Sequence, residues 1–357
     1  MTADTLPPSY VPAAAAVPAI SDAAWLDVRV TAKTIEAEGI AGFRLEAADG
    51  GRLPGFTAGA HIEVQLPGEG APLVRPYSLC NAPPPAGAAA DHYALGVLRE
   101  PASRGGSQAM HDRVKVGDRL RIGTPRNLFP LAPAAPHHLL LAGGIGITPM
   151  LAMAEALAAA DAGFSLHHAV RSAVRAPFVG RLAAAPWRDR VHRHLDDGPA
   201  AQRFDASRLL AAAPVGSHLY VCGPQGFMTA VLAAARAAGW AEGRLHWESF
   251  GGGTPVSPTA AGDAASDAES AFELQLGRGG RVIPVAVGQT ALQALQAAGV
   301  PVMSSCEQGV CGTCLTRVLE GTPLHRDQYL TPEEQAANDQ FLPCCSRSAG
   351  PRLVVDL

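Results

Sequence analysis

The stretch 306–314 reads CEQGVCGTC and places three cysteines within nine residues. An adjacent pair, Cys344 and Cys345, follows near the end of the sequence. Clustered cysteines serve four kinds of chemistry: a disulfide, a zinc site, a reactive thiol centre or a metal cluster. The spacing of the cysteines and the composition around them distinguish these possibilities.

Cys306, Cys311 and Cys314 are separated by four and then two residues, which is the spacing of a plant-type [2Fe–2S] site. Gly309 and Gly312 lie in the intervals, where glycine lets the backbone wrap closely around a cluster. Structural zinc sites generally pair two short steps in which two to four residues separate the cysteines, so zinc fits poorly. A redox thiol needs only the last two cysteines and leaves the first unexplained. The spacing therefore favours an iron–sulfur cluster.

The composition is that of a globular protein with several domains. The chain has 357 residues, of which 48% are hydrophobic and 17% charged. A net charge of −4 with scattered basic residues argues against nucleic-acid binding. The sequence contains no window of 18 uninterrupted apolar residues, so a membrane span is not expected. Residues 1–24 lack the basic region of a signal peptide. We therefore expect a disordered tail and a cytoplasmic location, where disulfides are rare.

Composition divides the rest of the chain into three folded parts. Residues 25–131 contain short strands punctuated by glycine and proline, which predicts an antiparallel β-barrel. Apolar and polar residues alternate over 60–66, which predicts a strand with one buried face. Residues 132–250 alternate buried strands with helices, which predicts a Rossmann-like, mostly parallel sheet. Residues 251–270 read as a flexible linker. The module 271–357 begins as a hairpin, with Gly279 and Gly280 at the turn, and a helix starting near Thr290.

Two glycine turns in the second part are candidates for nucleotide binding. LLLAGGIGITPM (139–150) and LYVCGPQGFM (219–228) each run from a strand through a turn into a helix. Such a turn offers free backbone N–H groups to phosphate, although any tight turn also favours glycine. Two of them in one sheet could hold one dinucleotide across their strand ends. Cys222 in the second turn, taken alone, is more typical of a small buried hydrophobic residue, and it matters for binding only if it lines the cleft.

Two stretches in the barrel region are candidates for a second ligand. RPYSLCN (75–81) offers an arginine for phosphate, a tyrosine for stacking and a serine for hydrogen bonding. The same stretch is compatible with an edge strand protected by Pro76. RGGSQAMHD (104–112) is compatible with an anion site or with an ordinary capped helix.

Taken together, these motifs resemble the ferredoxin–NADP reductase superfamily, in which they recur in the same order. With the ferredoxin-like module, the chain resembles the phthalate dioxygenase reductase branch, which includes the vanillate demethylase reductases. The resemblance covers residues 25–357. The matching motifs are Arg75-x-Tyr77-Ser78, Gly105-Gly106-Ser107, Gly143-Gly144-x-Gly146-x-Thr148-Pro149, Cys222-Gly223-Pro224 and Glu248-Ser249-Phe250.

The resemblance implies a flavin site on the barrel. Arg75, Tyr77 and Ser78 would hold the flavin phosphate and its ring system, and Gly105, Gly106 and Ser107 would close the phosphate site. The branch typically uses FMN. FMN is favoured over FAD because the sequence contains no clear adenine-binding insert.

The resemblance also implies a nicotinamide cleft. It would be lined by Gly144, Gly146, Thr148, Pro149, Cys222, Gly223 and Pro224. Glu248 and Phe250 would lie beside the reacting rings, with Phe250 shielding the flavin, so that Ser78, Cys222, Glu248 and Phe250 form the catalytic set. Arg171 and Ser172 would contact the adenosine end. Arg171 could take a 2′-phosphate, but relatives in this branch mostly use NADH, which is therefore favoured.

The fourth cluster ligand is predicted to be Cys344, within a β-grasp ferredoxin domain. The 29 residues between Cys314 and Cys344 match the interval usual in plant ferredoxins. Neighbours on an extended segment point to opposite sides, so Cys345 would be packed away from the iron.

The resulting hypothesis is an oxidoreductase that serves as the reductase component of a multicomponent oxygenase. Electrons would pass from NADH through flavin and the [2Fe–2S] cluster to a terminal oxygenase protein of the Rieske non-haem iron type. One alternative is a reductase for a haem or di-iron monooxygenase. Another is a non-enzymatic iron–sulfur carrier or sensor.

Overall fold

The computed structural model describes residues 25–67, 73–101, 105–250, 270–302, 314–327 and 332–357, with the single residues Ser304, Glu307, Gly309, Gly312, Tyr329 and Leu330. The predicted tail, residues 251–269 of the predicted linker, and the predicted ligands Cys306 and Cys311 lie outside these residues. Within the described residues, no helix is long and apolar enough to cross a membrane.

The first part forms a curved antiparallel sheet with strand order β4-β3-β6-β1-β2-β5, and β7 pairs with β3. A bridge between Leu79 and Leu95 joins the two ends of this order, so the sheet closes into the predicted barrel. Its elements are β1 (Leu26–Ala37), β2 (Ile40–Ala47), β3 (Ala60–Leu66), β4 (Leu73–Ser78), β5 (Tyr93–Leu98), α1 (Gly106–Asp112), β6 (Arg119–Ile122) and β7 (Arg126–Asn127).

Strand β3 is buried on both faces. Its apolar residues fill the barrel core as the alternation predicts. On the opposite face, however, His61 and Glu63 are only 6% and 8% exposed, so the prediction of one buried face is wrong. The second face of β3 is buried by tertiary contacts. The register partners of His61 are Ser78 and Arg126, and both bond to residues of other domains.

The second part is a five-stranded parallel sheet with order β10-β9-β8-β11-β12 and helices on its faces. Strand β8 is buried throughout, because alternate residues enter the two cores on either side of the sheet. The elements are β8 (His138–Gly143), α2 (Ile147–Ala159), β9 (Phe164–Val170), α3 (Val179–Ala184), β10 (Val191–Leu195), α4 (Ala206–Ala212), β11 (His218–Cys222), α5 (Gln225–Ala237) and β12 (Leu245–Glu248).

The chain reverses its direction of winding between β8 and β11. Strands β9 and β10 follow on one side of β8, and β11 and β12 lie on the other. In open α/β sheets, ligands bind at the carboxyl ends of the strands at such a switch point. The two glycine turns follow β8 and β11, so the fold places both at this position.

The third part is a mixed sheet of order β14-β13-β19-β15-β17 that packs against α6. The predicted hairpin is present as β13 and β14, and the predicted helix starts after Thr290, whose side chain caps it in a reciprocal capping box. The elements are β13 (Phe272–Leu276), β14 (Val282–Val285), α6 (Ala291–Ala297), β15 (Thr316–Glu320), β16 (Pro323–Leu324), α7 (Pro332–Ala337), β17 (Gln340–Phe341), β18 (Arg347–Ser348) and β19 (Arg352–Val355).

Candidate functional site

The barrel and the nucleotide domain meet where Ser78 contacts Glu248. The Ser78 hydroxyl, at the end of β4, donates a hydrogen bond to Glu248 Oε2 at 3.1 Å. Glu248 ends β12 and lies 170 residues further along the chain. Ser78 is only 5% exposed. The structure therefore brings two predicted site residues from different domains into direct contact.

Glu248 is partly buried at the end of β12. Burial raises the pKa of its carboxyl from 4.5 to about 7, and the hydrogen bond from Ser78 opposes this rise. Its register partner on β11 is Cys222, which is fully buried. Burial, and after it the charge of Glu248, raises the pKa of the Cys222 thiol well above its ordinary value. Cys222 is therefore a neutral thiol packed in the core beside Glu248, and its place in the cleft stays a prediction.

Phe250 lies two residues beyond Glu248 and is 44% exposed. An exposed large aromatic ring at the edge of a domain junction is suited to covering a planar ligand. The position agrees with the predicted shielding role, which remains a prediction.

The predicted phosphate site for the flavin is built from β4 and the start of α1. A side chain at Gly106 would collide with the stem of Arg75, its Cβ lying 2.5 Å from Arg75 Cγ. The absence of a side chain at Gly106 thus allows Arg75 to cross the start of the helix. Gly105 has a φ of 88°, a left-handed conformation that favours glycine. The Ser107 hydroxyl accepts a hydrogen bond from the backbone N–H of Glu100 at 3.1 Å.

Tyr77 precedes Ser78 on β4 and packs against the barrel core. Burial raises the pKa of its phenol above the ordinary value, so the side chain is neutral at physiological pH. A neutral, partly buried phenol next to Ser78 fits the predicted contact with a flavin ring.

The two glycine turns touch each other. A Cβ at Gly146 would lie 2.7 Å from the backbone nitrogen of Gly223, and a Cβ at Gly223 would lie 2.8 Å from Gly143 Cα. By contrast, Gly144 has a φ of 53° and open space where a side chain would project. The two turns therefore form a close-packed base with room above Gly144, which fits a dinucleotide at the switch point.

Thr148 and Pro149 lie in the first turn of α2 and are buried. The Thr148 hydroxyl donates to the carbonyl of Ile145 at 3.1 Å. Its methyl group faces Gly96 of β5, at 2.8 Å from the position of a Cβ there. Thr148 thus stabilises the turn and contributes to the contact between the domains. Its predicted contact with the cofactor remains a prediction, as does that of Pro224, which begins α5 as its N-cap.

His168 is a site residue that the sequence did not indicate. Its Nε2 donates to the carbonyl oxygen of Gly144 at 2.9 Å, and the side chain is fully buried. Burial lowers the pKa of His168 to about 4, so the ring is neutral and holds the glycine turn without adding charge. The sequence feature that could have indicated this role is the pair His167-His168, which lies inside a strand of otherwise mostly apolar residues.

Arg171 and Ser172 follow β9, next to β8 in the sheet. Arg171 is exposed, and its backbone carbonyl accepts a hydrogen bond from the N–H of Asp197. The predicted adenosine contact is thus on the correct edge of the sheet and is accessible. It remains a prediction.

In the third part, Cys314 and Cys344 come together. They are 3% and 4% exposed and belong to one apolar cluster. The pKa of the Cys344 thiol is raised above its ordinary value, chiefly by its hydrogen bond with the Cys314 thiol. Gly309 and Gly312 both have a φ of 74°, as the predicted tight loop requires. The described residues thus supply two of the four predicted thiolates in buried, apolar surroundings, and thiolate sulfur suits a soft metal cluster.

The segment carrying Cys344 and Cys345 is a turn, because the N–H groups of Cys345 and Ser346 both bond to the carbonyl of Leu342. The expectation of an extended segment is therefore wrong. Cys344 is the more buried of the two cysteines and lies beside Cys314, whereas the Cys345 sulfur lies 3.7 Å from the Ser346 hydroxyl. The choice of Cys344 as the ligand remains a prediction.

Comparison with known proteins agrees with this architecture. Residues 275–349 match the 2Fe-2S iron–sulfur cluster binding domain, and residues 125–245 match the N-terminal domain of the DmmA-like dimethylamine monooxygenase subunit. The chain is 48% identical to a vanillate O-demethylase oxidoreductase of Pseudomonas sp., over 93% of this chain and 100% of the relative. It is 39% identical to the carnitine monooxygenase reductase subunit of Escherichia coli, over 95% of this chain and 100% of the relative.

Solved structures also match over most of the chain. Phthalate dioxygenase reductase matches with a TM-score of 0.65 and 34% identity, over 93% of this chain and 98% of that one. A self-sufficient type IV cytochrome P450 monooxygenase matches with a TM-score of 0.75 and 35% identity, over 93% of this chain but 41% of that one.

Fold and site together define a pyridine-nucleotide-dependent flavin reductase that carries its own [2Fe–2S] domain. Among such enzymes, the chain belongs to the family of the vanillate O-demethylase oxidoreductases and phthalate dioxygenase reductase. It is therefore an electron-transferring oxidoreductase of the oxygenase-reductase type.

Proposed function

We propose that this chain supplies a Rieske-type non-haem iron oxygenase with electrons from NADH and that its flavin is FMN. The contact between Ser78 and Glu248 carries the proposal, because it joins the predicted flavin site to the switch point of the nucleotide sheet. An oxygenase partner is supported by the names of the relatives, which include vanillate O-demethylase oxidoreductases and phthalate dioxygenase reductase. The Rieske type of that partner is proposed from the family resemblance.

The residues present fit the three cofactors. Arg75 with Gly105, Gly106 and Ser107 would hold the flavin phosphate, the turns at Gly144 and Gly223 would hold the dinucleotide, and Cys314 and Cys344 would hold iron. A flavin bound there would accept a hydride from nicotinamide and release electrons one at a time, which would suit a [2Fe–2S] centre that takes one electron. Ser78 and Glu248 orient the two cofactors at the junction, and Phe250 excludes water from the reacting face.

NADH is proposed over NADPH on the resemblance, with Arg171 as the residue to test. The residue is exposed at the carboxyl end of β9, where a guanidinium could bind a 2′-phosphate. Measured kcat/KM for the two nucleotides decides: a preference for NADPH that is lost in Arg171→Ala would contradict the proposal.

A haem monooxygenase is the second candidate for the partner. The chain is 38% identical to the β subunit of a heme-dependent oxidative N-demethylase of Ectopseudomonas mendocina, and the P450 structure above carries a similar region. Reconstitution with purified oxygenases separates the two. NADH oxidation coupled to product with a Rieske oxygenase, and not with a haem enzyme, is expected. The reverse result would reject the Rieske partner.

The flavin is identified by extraction from the purified protein and chromatography against FMN and FAD standards. FMN is expected. Recovery of FAD in an amount equal to the protein would overturn this part of the proposal without affecting the fold.

A further inference from the structure

A hydrogen bond connects the flavin barrel with the iron–sulfur domain. Arg126 Nη1, on the short strand β7, donates to the Tyr329 hydroxyl at 3.2 Å, across 203 residues of sequence. Neither residue belongs to the motifs that carry the family resemblance. The contact nevertheless lies between the two sites that must exchange an electron.

Tyr329 faces the predicted cluster loop. Its ring packs so closely on Gly312 that a Cβ there would lie 2.8 Å from Tyr329 Cδ2 and closer still to Cε2 and Cζ. The ring also packs against the apolar cluster that contains Cys314 and Cys344. Gly312 therefore has no side chain for two reasons: its left-handed φ of 74° and the tyrosine ring against it. Tyr329 therefore fixes the space available at Gly312, two residues before Cys314.

Arg126 faces the predicted flavin site. Across the barrel sheet, Arg126 on β7 is the register partner of His61 on β3, and His61 is the register partner of Ser78 on β4. Register partners on neighbouring strands lie about 5 Å apart and share one face of the sheet. Arg126 is thus two strands from Ser78, the residue that bonds Glu248.

The part of the barrel sheet between Arg126 and Ser78 is buried at its centre. His61, at its centre, is 6% exposed, and its Nε2 has no hydrogen-bond partner among the described residues. Burial and then the charge of Arg126 lower the pKa of His61 to about 4, so His61 is neutral at physiological pH. A poorly hydrated environment strengthens a charge-assisted hydrogen bond at its edge.

We propose that Arg126 and Tyr329 are positioning residues that hold the cluster loop against the flavin domain while an electron passes between them. The inference rests on the proposed function, because it needs a flavin at Ser78 and a cluster at Cys314. With both groups bound, each transfer would move one electron from the reduced flavin to the cluster, so that one ferric ion would become ferrous. Neither Arg126 nor Tyr329 gains or loses an electron or a proton.

The first test separates the two electron-transfer steps in the purified holoprotein. Tyr329→Phe removes the hydroxyl and keeps the ring on Gly312, and Arg126→Gln removes the charge. Each protein is mixed with NADH without oxygen in a stopped-flow instrument, and flavin bleaching and cluster reduction are recorded separately. Flavin reduction should keep the wild-type rate, whereas cluster reduction should slow by roughly tenfold. This is the effect expected if loss of the hydrogen bond weakens docking of the iron–sulfur domain by about 1.4 kcal/mol.

The double variant and an unrelated arginine provide the controls. Because the two residues bond to each other, the effects of Tyr329→Phe and Arg126→Gln should be less than additive in the double variant. Arg44→Gln removes an exposed arginine that pairs with Glu46 on β2, away from the contact, and should behave as wild type. The cluster midpoint potential should be unchanged in both single variants, so that any slowing reports position and not driving force.

A second readout does not depend on turnover. In oxidised protein without NADH, hydrogen–deuterium exchange of peptides containing Tyr329 should be faster in Tyr329→Phe and Arg126→Gln than in wild type or Arg44→Gln. Wild-type cluster reduction in either single variant, or effects that add in the double variant, would overturn the inference. A wild-type protein whose flavin bleaches while its cluster stays oxidised would instead reject the proposed function, and the inference with it.

Discussion

Replacing Glu248 by Gln should stabilise the protein at pH 8 and have little effect at pH 4.5. The substitution removes a carboxyl that burial prevents from ionising easily, and an amide oxygen can still accept the hydrogen bond from Ser78. The wild-type and variant side chains therefore differ mainly in charge, which makes the prediction a direct test of the environment at the junction.

The magnitude follows from the pKa. A rise from 4.5 in the unfolded chain to about 7 in the folded protein corresponds to about 3 kcal/mol against the ionised form. A raised carboxyl pKa gives stability that is fully present below pH 4.5 and is lost as the pH rises to 7, where the folded carboxyl ionises. The amide of the Glu248→Gln variant cannot ionise, so the variant avoids this loss, and its advantage should reach about 3 kcal/mol by pH 8.

Urea unfolding of the apoprotein, followed by tryptophan fluorescence, measures the effect. Three of the four tryptophans, Trp187, Trp240 and Trp247, belong to the nucleotide domain. The quantity compared is the free energy of unfolding of variant minus wild type, at pH values from 4.5 to 8.

Two further variants serve as controls. Glu242→Gln changes an exposed carboxyl and should show no such stabilisation at pH 8. Ser78→Ala removes the hydrogen bond that lowers the pKa of Glu248, so it should raise that pKa further and increase the loss above pH 7. A difference between Glu248→Gln and wild type that does not vary with pH would refute the reasoning.

Three further predictions concern the turns and the cluster. Gly146→Ala should raise the KM for NADH by about tenfold or more, because its Cβ meets rigid backbone of the second turn, whereas Gly180→Ala, which faces open space, should not. His168→Leu leaves a buried carbonyl without its donor and should cost about 1–3 kcal/mol, measured by urea unfolding. Cys344→Ser should abolish the absorbance and paramagnetic resonance of the cluster, and Cys345→Ser should retain both; loss in Cys345→Ser alone would reverse the ligand assignment.

The sequence was sufficient to predict the three folded parts, because each has its own periodicity. The continuous apolar run of β8 indicated a strand buried on both faces, and Thr290 with Gln293 marks the start of α6 through a local capping box. Such signals depend on neighbours a few residues apart, so the sequence alone displays them.

Contacts between distant residues were not predictable in this way. The burial of His61 depends on Ser78 and Arg126 in neighbouring strands and on the domains that those residues contact. The turn at Cys344 and Cys345 likewise depends on tertiary hydrogen bonding, and the alternation rule for extended chain does not apply there. Periodicity reports which face is apolar but not what covers the polar face.

Electron transfer from NADH through the flavin to the cluster is tested most directly by an anaerobic titration of the purified holoprotein with NADH, monitored by electron paramagnetic resonance. Flavin bleaching together with the resonance of a reduced [2Fe–2S] cluster is expected, in the absence of any oxygenase. A protein that contains both cofactors, and in which NADH bleaches the flavin but produces no cluster signal, would contradict this route of electron transfer.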